Sequence, residues 1–288
     1  AASDVYKRQI YTYIKQVLHP YYQETEAGAL AKWILTEVFH FSTFDLYAGK
    51  DMNFSENDRD RLEDILNRLR DYEPLQYVLG KTEFGGLAFE VTPDVLIPRP
   101  ETLELVEWIT ADCQGSEGVR ILDIGTGSGC IPVTLYKRLE AYRPQVVSWD
   151  ISEKALEVAG RNAAANGAVV TFCCQDVLSE FLPEAEVDVL VSNPPYIAEK
   201  EKASMERNVL DWEPGLALFV PDDDPLLFYR KIAEAGLRIL SPKGRLYYEI
   251  NRAYGKETVE LLERLGYTEV ELRKDLSGND RMVKAVRP

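Results

Sequence analysis

Cysteine and histidine are scarce. The 288-residue chain has four cysteines, Cys113, Cys130, Cys173 and Cys174, and two histidines, His19 and His40. No two of these cysteines stand at Cys-x-x-Cys spacing, so neither a structural zinc site nor a disulfide framework is expected, and no metal site is predicted. All four read as small core residues, which suits a reducing, cytoplasmic setting. Apolar runs long enough to cross a membrane are also missing. The N-terminus, Ala1-Ala2-Ser3-Asp4, has no basic region followed by an apolar core, so no secretory signal is expected there. Positive charge is in deficit: Lys and Arg total 33 against 48 Asp and Glu, a net charge of −15 that is spread along the chain. A duplex-binding protein usually shows a basic face, because phosphate contacts dominate affinity, so the balance argues against a nucleic-acid partner. What is present is 45% hydrophobic residues, enough for a core in one large domain or two smaller ones.

Residues 10 to about 70 carry helical periodicity. Ile10, Ile14, Val17 and Leu18 share one face, as do Leu30, Ile34, Leu35 and Val38, and then Leu62, Ile65, Leu66 and Leu69. Ser55 with Asp58 three residues on predicts a capped helix start, and 49–53 reads as a loop. From Glu83 the pattern changes. Phe84-Gly85-Gly86-Leu87 predicts a hairpin, and Pro93, Pro98 and Pro100 predict a rigid, non-helical connector. Beyond it strands and helices alternate. Strands are predicted at Arg120–Ile124, Val146–Asp150, Val169–Cys174, Val187–Ser192, Arg245–Ile250, Glu269–Leu272 and Met282–Val286. Helices are predicted at Ile131–Leu139, Glu153–Asn166, Phe228–Leu240 and Lys256–Leu265. Such alternation implies an α/β fold, a mostly parallel seven-stranded sheet covered on both faces. The expected division is a helical unit over 1–80, a hairpin linker over 81–100 and the α/β domain over 101–288.

Asp123-Ile124-Gly125-Thr126-Gly127-Ser128-Gly129 follows a predicted strand and opens a helix. Glycines there let the backbone come close to a ligand. The third glycine comes early for the dinucleotide pattern, since Cys130 stands three residues after Gly127. Asp150, at the end of the next strand, is placed to accept both hydroxyl hydrogens of a ribose; the plainer reading is a helix cap, with Ser152 or Asp150 starting the helix near Glu153. Asp176, after the third strand, is placed to accept from an adenine amino group, with Val177 against the ring; the alternative is a turn aspartate. Trp149 is an unusual residue for a buried strand. Together these stations resemble the S-adenosylmethionine (SAM) site of Rossmann-like methyltransferases, so Gly125, Thr126, Gly127, Ser128, Gly129, Asp150, Asp176 and Val177 are the candidate cofactor residues.

Asn193-Pro194-Pro195-Tyr196 closes the strand Val187–Ser192. An amide or exocyclic amine nitrogen is a poor nucleophile, and its two N–H groups need acceptors that turn it toward a methyl sulfonium. Asn193 offers a side-chain oxygen and Pro194 a backbone carbonyl. Pro195 stiffens the turn, and Tyr196 offers a flat face to a planar group. Asn193 and Pro194 are thus the candidate catalytic residues, Asn193 to Tyr196 the candidate substrate-binding residues, and Asn193 also a cofactor contact. Catalysis by such a turn is mostly positioning in a dry site.

From Gln76 onward the chain resembles the HemK/PrmC family, the peptide chain release factor N(5)-glutamine methyltransferases. The resemblance runs through Gln76-Tyr77-Val78-Leu79-Gly80, Phe84-Gly85-Gly86-Leu87 and Leu96-Ile97-Pro98-Arg99-Pro100-Glu101-Thr102. It continues through the glycine loop, Asp150, Asn193–Tyr196, Trp212-Glu213-Pro214 and Asp275-Leu276-Ser277-Gly278-Asn279-Asp280-Arg281. It implies SAM as cofactor and the glutamine of a Gly-Gly-Gln motif in class 1 peptide chain release factors as substrate, with the helical domain helping to grip that partner. A cytoplasmic monomer with no direct nucleic-acid or membrane contact is expected. A DNA or RNA amino-methyltransferase is the alternative; it would want a basic groove or a separate target-recognition domain, with room for a flipped base. A non-catalytic binding module would be expected to have lost Asn193 or the glycine loop, and a NAD-dependent enzyme lacks both the loop spacing and a histidine after residue 40.

Overall fold

The computed structural model describes residues 2–48, 54–179 and 186–288, and the loop expected at 49–53 lies outside them. The chain divides into two units, one made of residues 1–80 with 206–212 and the other of 81–205 with 213–288.

In the first unit the helices Ala2–Leu18, Glu24–Glu37 and Glu56–Arg70 bury the expected stripes against one another. Ile14, Leu18, Ile34, Leu35, Leu62, Ile65, Leu66 and Leu69 form its core, whereas Ile10, Val17 and Leu30 are only half-buried at its margin. The third of these helices starts as its capping sequence predicts: the Ser55 hydroxyl accepts from the Asp58 amide at 3.2 Å, and Asp58 accepts from the Ser55 amide at 3.0 Å. Short helices at Thr43–Ala48 and Leu75–Leu79 were not foreseen. Residues 206–212 complete this unit. The Arg207 guanidinium lies over the Tyr72 ring, 4.3 Å from its centre, and the Trp212 indole donates to the Asp71 carbonyl at 3.0 Å.

The second unit opens with the hairpin β1 (Lys81–Phe84) and β2 (Leu87–Glu90). Its two-residue turn needs positive φ at both positions, and Gly85 and Gly86 supply it, at 61° and 82°. The expected hairpin is fastened within this unit. Arg161 pairs with Glu90, Asn162 donates to the Glu90 carbonyl, and Asn166 donates to that of Ala88, so β2 is fastened to the helix Glu153–Ala165. One expectation fails: Pro100 does not prevent a helix but begins one, Pro100–Cys113. In the first helical turn the missing proline N–H is no loss and its fixed φ is already helical.

The remaining strands are β3 (Arg120–Ile124), β4 (Gln145–Asp150), β5 (Val170–Cys174), β6 (Val187–Ser192), β7 (Ile197–Ala198), β8 (Phe219–Val220), β9 (Leu240–Glu249), β10 (Thr268–Lys274) and β11 (Asp280–Val286). Seven of them form one sheet in the order β10-β11-β9-β6-β3-β4-β5. Neighbours from β9 to β5 run parallel, and β11 runs antiparallel to both β9 and β10. The small parallel pair β7–β8 was not foreseen. Strand β9 begins five residues earlier than expected, directly after the helix Leu227–Ile239. Alternation within the strands divides the core in two. Ile121, Val189, Val191 and Tyr247 face the helices Pro100–Cys113 and Cys130–Leu139. Leu122, Leu190, Leu246 and Tyr248 face Leu227–Ile239 and Gly255–Leu265. The strand order reverses at β3, and in open α/β sheets ligands bind beyond the carboxyl ends of the strands at such a point.

At the opposite end of the sheet Arg120 clamps β3 to β6. Asp188 accepts from the Arg120 backbone amide at 2.9 Å and from its guanidinium at 2.8 and 3.0 Å, and the Ser241 hydroxyl adds a fourth donor at 2.9 Å. Arg120 above all holds the Asp188 carboxyl down at about 2, from an ordinary 3.8. A depressed carboxyl stabilises the fold above its unfolded value and ceases to do so as pH falls through its folded one. Asp188→Asn is therefore expected to unfold at a lower temperature than the parent at neutral pH. The difference should shrink as pH falls from about 4 to about 2 in thermal melts across that range.

Candidate active site

A cleft of about 320 Å³ opens where β3, β4, β5 and β6 end. This is within the usual range for small-ligand sites, about 300–1,000 Å³. Gly125, Thr126 and Gly127 line it, as do Asp150, Asp176, Val177, Asn193, Pro194 and Pro195. Residues from four separate strand ends thus meet on one surface.

The glycine loop is held from beneath. Asp123 is fully buried, and its Oδ2 accepts from the Ser148 hydroxyl at 2.5 Å; Ser148 and Thr126 share a further hydroxyl contact at 2.6 Å. Burial pushes the Asp123 carboxyl up to about 7. The Gly125 and Thr126 amides both donate to the Trp149 carbonyl, at 2.8 and 3.0 Å. Trp149 is itself buried, within the apolar cluster that holds Leu122 and Ile124, which accounts for a large aromatic in that strand. Ser128 and Gly129 lie behind the lining. The Ser128 carbonyl accepts from Asn162 at 2.8 Å. Gly129 has φ of 82°, and a Cβ there would come 3.1 Å from the Ala159 Cβ and 3.3 Å from its Cα. Gly129 thus lets two helices approach and does not itself meet the cleft.

Asp150 does not cap the helix after it. That role falls to Ser152, whose hydroxyl accepts from the Ala155 amide at 3.2 Å. Asp150 instead accepts from the Gly127 amide on one oxygen and the Ser152 amide on the other, each at 2.9 Å. A carboxylate has about four lone-pair sites, so acceptor capacity remains toward the cleft. Asp176 is a turn residue, its Oδ1 accepting from the Leu178 amide at 2.8 Å, and it also lines the cleft beside Val177. Apolar walls come from Ile151, Val177, Leu178 and Phe228. An adenosine with its ribose on a carboxylate and its base between apolar side chains is chemically matched to this lining.

The Asn-Pro-Pro turn forms the facing wall. The Ser192 hydroxyl donates to the Ile124 carbonyl at 2.6 Å, locking the end of β6 to that of β3. A Cβ on Gly125 would come within 3.7 Å of the Asn193 carbonyl oxygen, so loop and turn are nearly in contact. Tyr196 departs from expectation. It is not among the residues lining the cleft; its hydroxyl donates to Glu249 Oε1 at 3.1 Å and its carbonyl accepts from Asn251 at 3.0 Å. Its half-buried ring packs against the apolar cluster under β9.

Several site residues had no role assigned from sequence. Glu213 accepts from the Ile97 amide at 3.1 Å and pairs with Arg99, so Trp-Glu-Pro and Ile-Pro-Arg-Pro, more than a hundred residues apart, are two halves of one contact. Thr102 donates to the buried Glu249 at 2.5 Å. Arg281 donates to Asp275 at 3.0 Å within the turn between β10 and β11. All of these positions but Glu249 fall within the family-like motifs, but their pairings need the folded chain. Among the described residues no cluster of His, Cys, Asp and Glu has the arrangement of a metal site, and no helix is long and apolar enough to cross a membrane.

Comparison with known proteins agrees with this architecture. Residues 103–211 match the methyltransferase small domain and residues 9–80 the PrmC N-terminal domain. The release factor glutamine methyltransferase of Bacteroides thetaiotaomicron is 48% identical over 97% of this chain and 99% of its own length; that of Flavobacterium psychrophilum is 44% identical over 95% and 96%. The chain belongs to the release factor glutamine methyltransferase family. Solved structures share the fold at lower identity. A methyltransferase from Pyrococcus furiosus, 18% identical, superposes with a TM-score of 0.51 over 81% of this chain and 99% of its own. A Thermus thermophilus 16S rRNA N2 methyltransferase, solved with AdoMet and guanosine, is also 18% identical and gives 0.52 over 72% and 50%.

In this member of the release factor glutamine methyltransferase family, a side chain at position 129 must take a left-handed backbone and push on Ala159. Gly129→Ala is expected to lower unfolding free energy by about 1–3 kcal/mol and to weaken SAM binding. Denaturant melts and calorimetric titration with SAM would measure both effects.

Proposed function

We infer that this protein transfers the methyl group of SAM to the side-chain amide nitrogen of the glutamine in the Gly-Gly-Gln motif of class 1 peptide chain release factors. The reading rests most on one observation: the glycine loop and the Asn-Pro-Pro turn line the same cleft from facing sides, and Gly125 lies close to the Asn193 carbonyl. When bound, SAM supplies an electrophilic methyl on a sulfonium. Asp150 would take the ribose hydroxyls on its free lone pairs, and Asp176 with Val177 would hold the adenine. The main chain at Gly125 to Gly127 would admit the rest of the cofactor close to the backbone.

Asn193 and Pro194 do the positioning. The Asn193 side-chain oxygen and the Pro194 carbonyl would accept the two N–H bonds of the glutamine amide, which fixes its plane and turns the nitrogen lone pair toward the methyl. Pro194 and Pro195 keep that turn from relaxing. No general base is needed before transfer, because the methylated nitrogen sheds its proton readily once charged. The gain comes from orientation and from fixed dipoles in a site that excludes water. Residues 1–80 would serve to recognise the release factor, and the protein would act as a cytoplasmic monomer without direct contact to nucleic acid.

The test is methyl transfer from labelled SAM to a purified class 1 release factor, run beside a factor whose Gly-Gly-Gln glutamine is alanine and beside DNA and RNA. Label on the intact factor alone is expected; label on nucleic acid would overturn the reading. Asn193→Ala should lose about 10²-fold or more in kcat with SAM affinity largely kept. Asp150→Ala should instead weaken SAM binding about 10- to 100-fold, as loss of a charged hydrogen-bond acceptor does. Unchanged SAM affinity in that variant would remove the ribose role.

A further inference from the structure

An asparagine side chain is nearly the same shape when its oxygen and nitrogen are exchanged, yet only one orientation can accept a hydrogen bond at a given place. The function proposed above, on which this inference rests, needs the Asn193 oxygen toward the substrate amide. Its Nδ2 lies 3.5 Å from Thr102 Oγ1, a long hydrogen bond of the kind that tightens when a substrate completes the site. Thr102 Oγ1 in turn lies 2.5 Å from Glu249 Oε2, and the other Glu249 oxygen takes the Tyr196 hydroxyl at 3.1 Å. Glu249 is only 1% exposed. An ionised carboxylate has no proton to give, so both hydroxyls must donate to it. The single Thr102 proton is then spent, and its oxygen can only accept, which selects the NH₂ end of Asn193.

We propose that Thr102 and Glu249 are positioning residues for methyl transfer, fixing the Asn193 amide with its oxygen toward the substrate, and that they do so only while Glu249 is ionised. The arrangement joins three parts of the fold: the first turn of the helix Pro100–Cys113, the end of β9 and the turn after β6. Protonation would reverse it. A neutral Glu249 donates to Thr102, the Thr102 proton is freed to point at Asn193, and the amide gains by presenting its oxygen to Thr102 and its nitrogen to the substrate.

The groups around Glu249 set where this occurs. Burial raises its carboxyl above the ordinary range, and Glu101 on the same helix as Thr102 adds to that. Thr102, Arg281 on β11 and Tyr196 act the other way. Tyr229 on the helix Leu227–Ile239 and Cys130 at the start of Cys130–Leu139 also lie within its field, both held neutral by burial. The sign follows: kcat should fall as pH drops through the raised Glu249 value, above where an exposed glutamate would titrate.

The experiment measures kcat, KM for the release factor, and SAM affinity in the full-length protein and in Thr102→Val, Thr102→Ser and Glu249→Gln, with kcat followed from pH 5 to 8. Valine keeps the threonine shape without the hydroxyl, whereas serine keeps the hydroxyl without the methyl. Thr102→Val is expected to lose about 10- to 100-fold in kcat with SAM affinity unchanged, and Thr102→Ser to recover most of it. A packing role alone would give the opposite ranking. Glu249→Gln should lower kcat and flatten its acid limb. Wild-type kcat in Thr102→Val, equal impairment in Thr102→Ser, or an unchanged acid limb in Glu249→Gln would each overturn the proposal while the parent still methylates the factor. If the parent places no label on the factor, the proposed function falls, and this inference with it.

Discussion

A carboxylate in a dry interior must be surrounded by donors, and Glu249 obeys this at the end of β9. Its two oxygens draw in a helix start through Thr102 and the turn after β6 through Tyr196, with Arg281 nearby to offset the charge. Removing one partner of such a group costs far more than the bond itself is worth, because the remainder is left buried and unsatisfied. Elements that are distant in sequence are therefore held in one arrangement by the need to keep one side chain hydrogen-bonded. The Arg99–Glu213 contact repeats the device a short way along, with Glu213 buried and also accepting from a backbone amide.

The cofactor side of the cleft obeys a different constraint. Its glycine loop is held mostly through main-chain amides. Gly127 gives its amide to Asp150, while Gly125 and Thr126 give theirs to Trp149. A loop built this way presents little for a ligand to displace and little to reorganise on binding. The turn opposite gains its stiffness from two prolines and from Ser192 beneath it. Both walls are fixed by contacts within the protein, which is what a reaction governed by orientation asks of its enzyme.

Much of this was legible in the chain because it follows from local pattern. The three helical stripes, the Ser55 cap, the Gly85-Gly86 hairpin and the strands Arg120–Ile124 and Val187–Ser192 depend on periods and turn chemistry within a few residues. The glycine loop and Asn193 were legible for the same reason: their spacing from a strand end fixes where they emerge. What was missed depends on partners far away. Pro100 reads as a breaker until the helix it begins is seen, and Ser128 and Gly129 read as cofactor contacts until Asn162 and Ala159 are found behind them. Tyr196 reads as a flat face for a planar substrate group; the buried acceptor that takes its hydroxyl lies 53 residues on. Thr102 and Glu249 carry no motif chemistry of their own, and only their distances give them a role.

The stretch 206–212 belongs with the helices of the first unit although more than a hundred residues separate it from them in the chain. A ribosome delivers residues 1–80 early, but Trp212 and Arg207, which cover Asp71 and Tyr72, arrive much later. Domains made first usually fold first. Here the leading unit gains its contacts at Asp71 and Tyr72 only once about three quarters of the polypeptide has been synthesised.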